Sequence, residues 1–420
     1  MDKFIIEGGE RLSGTVKIGG AKNAVLPIMV ASLLAEKGET IINQVPNLAD
    51  IDTMVQVLMH LGAEVKRDLK DKQVSIKADN LKTFEAPYDL VRRMRASFLV
   101  LGPILARLGK AKVSLPGGCV LGQRPVNLHL LGLQRLGTKL KEEHGYIVAS
   151  CDRLKGATIC FDRPTHTGTE NLMMAAVLGE GRTTLINAAC DPEVVDLAGF
   201  LNLMGAKIEG AGTSAITIKG VKRLNAVEYT PISDRLETGT FMMAAGITGG
   251  YIEIRNARLA HLRMVTQKLK EMGLDIQENK GKVKVKGPKK LKEVSVTTYP
   301  HPGFPTDLQA SIMALASVAE GGSEIRETVF EERFTHVMEL NRLGADIKVE
   351  GDKAIIFGVP KIRGATVMAS DIRAGAGLVL AGLAAEGLTE ILRIYHIDRG
   401  YENFETKLAT LGARIERVKD

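Results

Sequence analysis

Hydrophobic and polar positions follow two periods along this chain, and the change from one to the other recurs. V-T-Q-K-L-K-E-M (265–272) spaces its apolar residues as one face of a helix, whereas I-K-V-E (347–350) alternates like a half-buried strand. At each such change stands the signature apolar-Gly-x-x-apolar. Its six copies centre on Gly62, Gly137, Gly205, Gly273, Gly344 and Gly412, at spacings of 75, 68, 68, 71 and 68 residues. A glycine between helical and alternating periods predicts a left-handed helix cap that turns into a strand.

A second marker falls between these copies: a small-residue apolar helix, a glycine-centred turn and a strand. Four instances are A-S-L-L-A-E-K-G-E-T-I-I, A-A-V-L-G-E-G-R-T-T-L-I, A-L-A-S-V-A-E-G-G-S-E-I and L-A-G-L-A-A-E-G-L-T-E-I. Each unit of about 70 residues thus holds two helices, each followed by a strand or hairpin, which makes the class α/β. The strand faces are too polar for a buried parallel sheet. Six units divide as three plus three, and 420 residues exceed what one core usually organises, so two domains are expected. Counted from the turn glycines, Cys119 lies 10 residues after Gly109, Arg333 lies 11 after Gly322 and Arg399 lies 12 after Gly387. Equivalent loops that face one place, with helix N-termini behind them, predict a cleft for anions.

Composition narrows the classes. A hydrophobic fraction of 45% with 25% charged residues fits a globular protein, and Ala96–Ala106 is too short to span a bilayer. M-D-K-F-I-I-E-G-G lacks the apolar run of a signal peptide, so a cytoplasmic location is expected and no membrane partner. The net charge of +7 favours anionic ligands, but 4% aromatics and no Trp argue against nucleic acid. K-V-K-V-K-G-P-K-K-L-K (282–292) reads as a solvated strand face and turn. Cys119, Cys151, Cys160 and Cys190 form no C-x-x-C pair and are expected as free thiols. No metal or cofactor motif is present, so neither is expected.

Four stretches could carry chemistry. S-L-P-G-G-C-V-L-G-Q-R-P (114–125) sets Cys119 among Gly117, Gly118 and Gly122, with Arg124, Lys110 and Lys112 near enough in sequence to lower a thiol pKa. Either this is a mobile loop with a reactive thiol, or Cys119 is a small apolar residue in a turn. K-I-G-G-A-K-N-A (17–24) places Lys22 and Asn23 where a helix begins, like a phosphate cradle without a P-loop pattern; an exposed lysine with no role is the alternative. In P-T-D-L-Q-A (305–310) helix capping is the simplest role for Asp307. Y-H-I-D-R-G-Y (395–401) packs His396, Asp398 and Arg399 between an apolar strand and a glycine.

Together with M-R-A-S, L-P-G-G-C-V-L-G-Q-R-P-V-N-L-H, D-R-L-E-T-G-T and E-R-F-T-H, these stretches make the whole chain resemble the UDP-N-acetylglucosamine 1-carboxyvinyltransferase family of enolpyruvyl transferases. The resemblance implies a two-domain inside-out α/β barrel, three repeats per domain. One domain would span 22–232, with the Cys loop 114–125, and the other 1–21 and 233–420. It implies transfer of the enolpyruvyl group of phosphoenolpyruvate to the sugar 3-hydroxyl by addition and elimination, in the first committed step of peptidoglycan precursor synthesis. Lys22, Arg124 and Arg399 would hold phosphoenolpyruvate with help from Arg373, Cys119 would protonate C3, and Asp307 would act on the sugar hydroxyl. Asn23, Arg95, Pro125, Val126, Asn127, Leu128, Asp307 and Val329 would bind the UDP-sugar, and the Cys loop would close over both substrates. Two departures from the family pattern stand out: Asn127 stands where an Asp is common, and Arg163 with His166 where a Lys is usual, so that Arg163 would supply the charge. The partners implied are the two small-molecule substrates, with a monomer or weak homo-oligomer as the assembly. A sister enzyme acting on shikimate 3-phosphate, a non-catalytic nucleotide-sugar binder and a basic nucleic-acid binder are the rival readings.

Overall fold

The computed structural model describes residues 2–116, 126–330 and 332–419. The chain forms two compact units: the described residues of Met1–Gly19 and Ser233–Asp420 make a discontinuous one, and those between Gly20 and Ile232 a continuous one. Each unit carries three four-stranded sheets of one plan, an edge strand parallel to its neighbour followed by two antiparallel pairings.

All six signature glycines stand between a helix and a strand with φ between 90° and 108°. An L side chain adopts that backbone only at a cost of about 1–2 kcal/mol, which is why the repeat is written in glycine. The second marker behaves alike at Gly38, Gly109, Gly181, Gly249, Gly321 and Gly387, with φ from 60° to 95°. In the G-G pair of the fifth repeat the left-handed residue is Gly321, and Gly322 already begins the strand Gly322–Arg326.

Within each unit the sheets lie outside and the helices inside. Arg235–Ile247, Gln309–Ala316 and Ile372–Ala384 pack against one another and against the sheets of the discontinuous unit, with every residue of the first two buried. Small residues permit this approach: a Cβ on Gly377 would come within 2.8 Å of Ala310 O on the neighbouring helix. In the continuous unit Lys22–Ala31, Leu101–Leu108 and His166–Ala176 are the corresponding apolar helices. The expected solvated face is present at Lys282–Lys286, where Val283 and Val285 are buried and the lysines exposed.

In each unit two of the three sheets take their parallel edge strand from the repeat before them. Glu85–Ala86 runs beside Lys110–Ser114, and Thr158–Cys160 beside Arg182–Ile186. The last such strand of the continuous unit, Glu228–Tyr229, returns to Glu39–Ile42 and closes the set of three. In the discontinuous unit closure uses the N-terminus: Lys3–Glu7 lies antiparallel between Leu388–Leu392 and Arg414–Val418, with Phe4 and Ile6 fully buried. Ser13–Lys17 then runs parallel to Tyr251–Arg255. Among the described residues no helix is long and apolar enough to cross a membrane.

Candidate active site

Asp307 does not cap a helix. P-T-D-L-Q-A forms a short 3-10 turn, Thr306–Leu308, that runs into Gln309–Ala316, and no side chain caps either segment. The Asp307 carboxylate instead receives two guanidiniums: Arg333 Nη1 lies 2.8 Å from Oδ1 and Arg373 Nε lies 3.3 Å from Oδ2. Both arginines are only 5% exposed, so they cannot exchange this carboxylate freely for water.

The sequence places Arg373 by a helix start. Asp371 caps Ile372–Ala384, accepting from Arg373 N and Ala374 N, which aims the next side chain inward. Burial alone would lower the Arg373 pKa, but Tyr401, Asp307 and Asp234 outweigh it and raise it above the ordinary value. The guanidinium sits 5.4 Å from the Tyr401 ring centroid. Its Nη1 is buried and has no hydrogen-bond partner among the described residues, a donor that an incoming anion would satisfy.

Arg399 ends the 3-10 segment Ile394–Arg399 and is half-buried. Its neighbour Asp398 is a structural anchor, held by both terminal nitrogens of Arg417 at 3.0 and 2.6 Å. The chain next to Arg399 runs along the start of Ile372–Ala384, where a Cβ on Gly400 would lie 3.7 Å from Arg373 Nη1. Val329 is half-buried and donates its N–H to Glu327 at 2.8 Å.

In the continuous unit Lys22 opens its helix as a buried residue, 7% exposed, with Nζ 2.9 Å from Asp50 Oδ2. The exposed-lysine alternative is therefore excluded; Asp50, in the first turn of Ala49–Leu61, fixes the ammonium. Asn23 follows, half-buried. Arg95 and Val126 line a small cavity with Phe98, Leu99, His129 and Thr167. Asn127 is the exposed first residue of the helix Asn127–Arg135, and Leu128 is buried. Arg163 is exposed between Thr158–Cys160 and His166–Ala176. Cys119, Arg124 and Pro125 lie outside the described residues.

Sequence reasoning missed two features here. His166 bridges Glu170 at 3.0 Å and Asp191 at 3.6 Å. Burial opposes its charge, yet Glu170 and Asp191 raise its pKa well above the ordinary value. His129 is the reverse case. Asn171 Oδ1 accepts from Gly102 N, which turns the amide nitrogen toward His129 Nδ1, and Thr167 Oγ1 meets Nε2. The buried ring is therefore neutral, its pKa pushed down to about 3 by burial and then by Arg95.

A folded-state pKa below the unfolded one means stability that is present above pH 6.5 and lost as pH falls. Between pH 6.5 and 5.5 the wild type is therefore expected to lose stability more steeply than His129→Gln, by at most about 1.4 kcal/mol per pH unit. Urea unfolding at several pH values checks this; equal slopes would refute the neutral buried ring.

Two units, each with three repeats of sheets around apolar helices and each carrying buried cations, have the architecture of an enolpyruvyl transferase. Comparison supports this class. The family model described as EPSP synthase (3-phosphoshikimate 1-carboxyvinyltransferase) matches residues 6–408, and the chain belongs to that family. Relatives named UDP-N-acetylglucosamine 1-carboxyvinyltransferase from Desulfosudis oleivorans and Trichlorobacter lovleyi are 54% and 55% identical over 100% of both chains. Among solved structures, the enolpyruvyl transferase NikO from Streptomyces tendae matches with a TM-score of 0.90 and 26% identity over 100% of this chain and 99% of its own. EPSP synthase from Acinetobacter baumannii shares the fold at a TM-score of 0.77 and 18% identity over 100% of both chains.

Proposed function

We infer that this chain transfers the enolpyruvyl group of phosphoenolpyruvate to the 3-hydroxyl of UDP-N-acetylglucosamine and releases phosphate, the first committed step of peptidoglycan precursor synthesis. The observation that carries this reading is full-length identity of 54–55% to relatives of that name. The chemistry of the described side chains supports it.

Phosphoenolpyruvate brings a phosphate and a carboxylate. Lys22, Arg124 and Arg399 hold them, with the unsatisfied Nη1 of Arg373 as a further donor. Asp307 takes the proton of the sugar 3-hydroxyl as that oxygen bonds to C2, and the Cys119 thiol delivers a proton to C3. The resulting tetrahedral adduct loses phosphate from C2 and a proton from C3, which restores the double bond in the product. Asn23, Arg95, Pro125, Val126, Asn127, Leu128 and Val329 bind the nucleotide sugar, and Arg163, exposed in the loop between Thr158–Cys160 and His166–Ala176, pairs with the diphosphate. One chain carries all of these groups, so a monomer suffices, and both substrates are phosphorylated metabolites of the cytoplasm.

Mass spectrometry tests the reading: the purified protein with both substrates is expected to yield a nucleotide sugar bearing one carboxyvinyl group per phosphate released. An analogue lacking the 3-hydroxyl should release none. Phosphate release from that analogue at the normal rate would refute the assignment of the acceptor atom.

A further inference from the structure

We propose that Glu327 is a positioning residue that ties the sugar-binding turn at Val329 to the base Asp307 through Thr306 and Arg333; this rests on the functional reading above. Glu327 follows the strand Gly322–Arg326, at the end where it runs parallel to Ser295–Thr297. It is only 1% exposed. Burying a carboxylate there is tolerable only because its oxygens are filled with donors.

Oε1 accepts from Thr298 Oγ1 at 2.8 Å, Val329 N at 2.8 Å and Phe330 N at 3.0 Å. Oε2 accepts from Thr306 Oγ1 at 2.8 Å. The same hydroxyl lies 3.0 Å from Arg333 Nη1, the nitrogen that also reaches Asp307 Oδ1 at 2.8 Å. A carboxylate only accepts and a guanidinium only donates, so the Thr306 hydroxyl has one possible direction, from Arg333 toward Glu327. Glu327 thereby orients Thr306, Thr306 helps orient Arg333, and Arg333 holds Asp307.

The two oxygens have separable duties. In Glu327→Gln the amide oxygen takes over the three-donor Oε1 position, because the opposite orientation would face three donors with an NH2 group. The Val329 turn then persists, while the NH2 points at Thr306 and forbids its normal direction. Steady-state kinetics of Glu327→Gln, Thr306→Val and the double variant, with thermal melts of each, test this.

We expect Glu327→Gln to lower kcat by about 10- to 100-fold, the usual penalty for a misplaced reacting group. Its KM for UDP-N-acetylglucosamine should stay within about threefold of wild type, because the Val329 contact is kept. Thr306→Val should copy the kcat loss, and the double variant should be no worse than the poorer single one, since both break one relay. Wild-type kcat in Glu327→Gln, or losses that multiply in the double variant, would overturn the proposal. If Glu327→Gln does not fold, Thr306→Val decides, and wild-type kcat there is the refuting result. An inactive wild type would instead refute the functional reading, and with it the role given to Glu327.

Discussion

Asp307→Asn is expected to lower kcat by about 10²- to 10⁴-fold, the range for loss of a general base, while the protein still folds. Asn has the shape of Asp but cannot take the proton of the sugar hydroxyl. It also offers an NH2 group where the native carboxylate meets a guanidinium with each oxygen, Arg333 at 2.8 Å and Arg373 at 3.3 Å. One arginine therefore loses its acceptor. Stripping one partner from a buried pair costs about 3–5 kcal/mol, and the cost here is smaller because the Asp307 side chain is 28% exposed. Kinetics and a melting curve on the same preparation separate the two effects. A stable Asp307→Asn enzyme with more than a tenth of wild-type kcat would remove Asp307 from the proton transfer.

Cys119→Ala is expected to cause a loss of similar size, about 10²- to 10⁴-fold in kcat, because in the proposed reaction it removes the acid that would deliver a proton to C3. The same thiol is expected to be the one that fosfomycin alkylates. An epoxide is opened by thiolate. Burial raises the pKa of Cys151 and of Cys190, with Asp152 and Asp191 adding to it. Cys160 is exposed, so it is the control for simple access. Peptide mapping should find the adduct on Cys119 with Cys160 unmodified, and Cys160→Ala should keep wild-type kcat. An adduct on Cys160, or full activity in Cys119→Ala, would contradict the proton-donor role.

What the sequence made legible is what the backbone demands locally. Six glycines between a helical and an alternating period could be read as left-handed caps, and each has φ near 100°. Small-residue helices could be read as closely packed, and Gly377 against Ala310 shows the reason. Contacts set by the closing of the chain could not be read with equal ease. Glu228–Tyr229 is two residues long and carries no period, yet it completes a sheet with Glu39–Ile42.

The site follows the same division. Asp307 looked like a cap because capping is a local act, whereas Arg333 and Arg373 reach it from 26 and 66 residues away. Lys22 looked exposable until Asp50, 28 residues on, was placed beside it. Glu327 combines both cases: its bonds to Val329 and Phe330 are local, but those to Thr306 and Thr298 span 21 and 29 residues. Such a carboxylate carries no mark in sequence beyond a charge at the end of a strand.

One competition measurement tests the account most directly. The wild-type protein is given phosphoenolpyruvate with equal concentrations of UDP-N-acetylglucosamine and shikimate 3-phosphate, and both carboxyvinyl products are followed along with phosphate. The account predicts that phosphate release matches the nucleotide-sugar product alone. Product formed on shikimate 3-phosphate, with none on the nucleotide sugar, would contradict it.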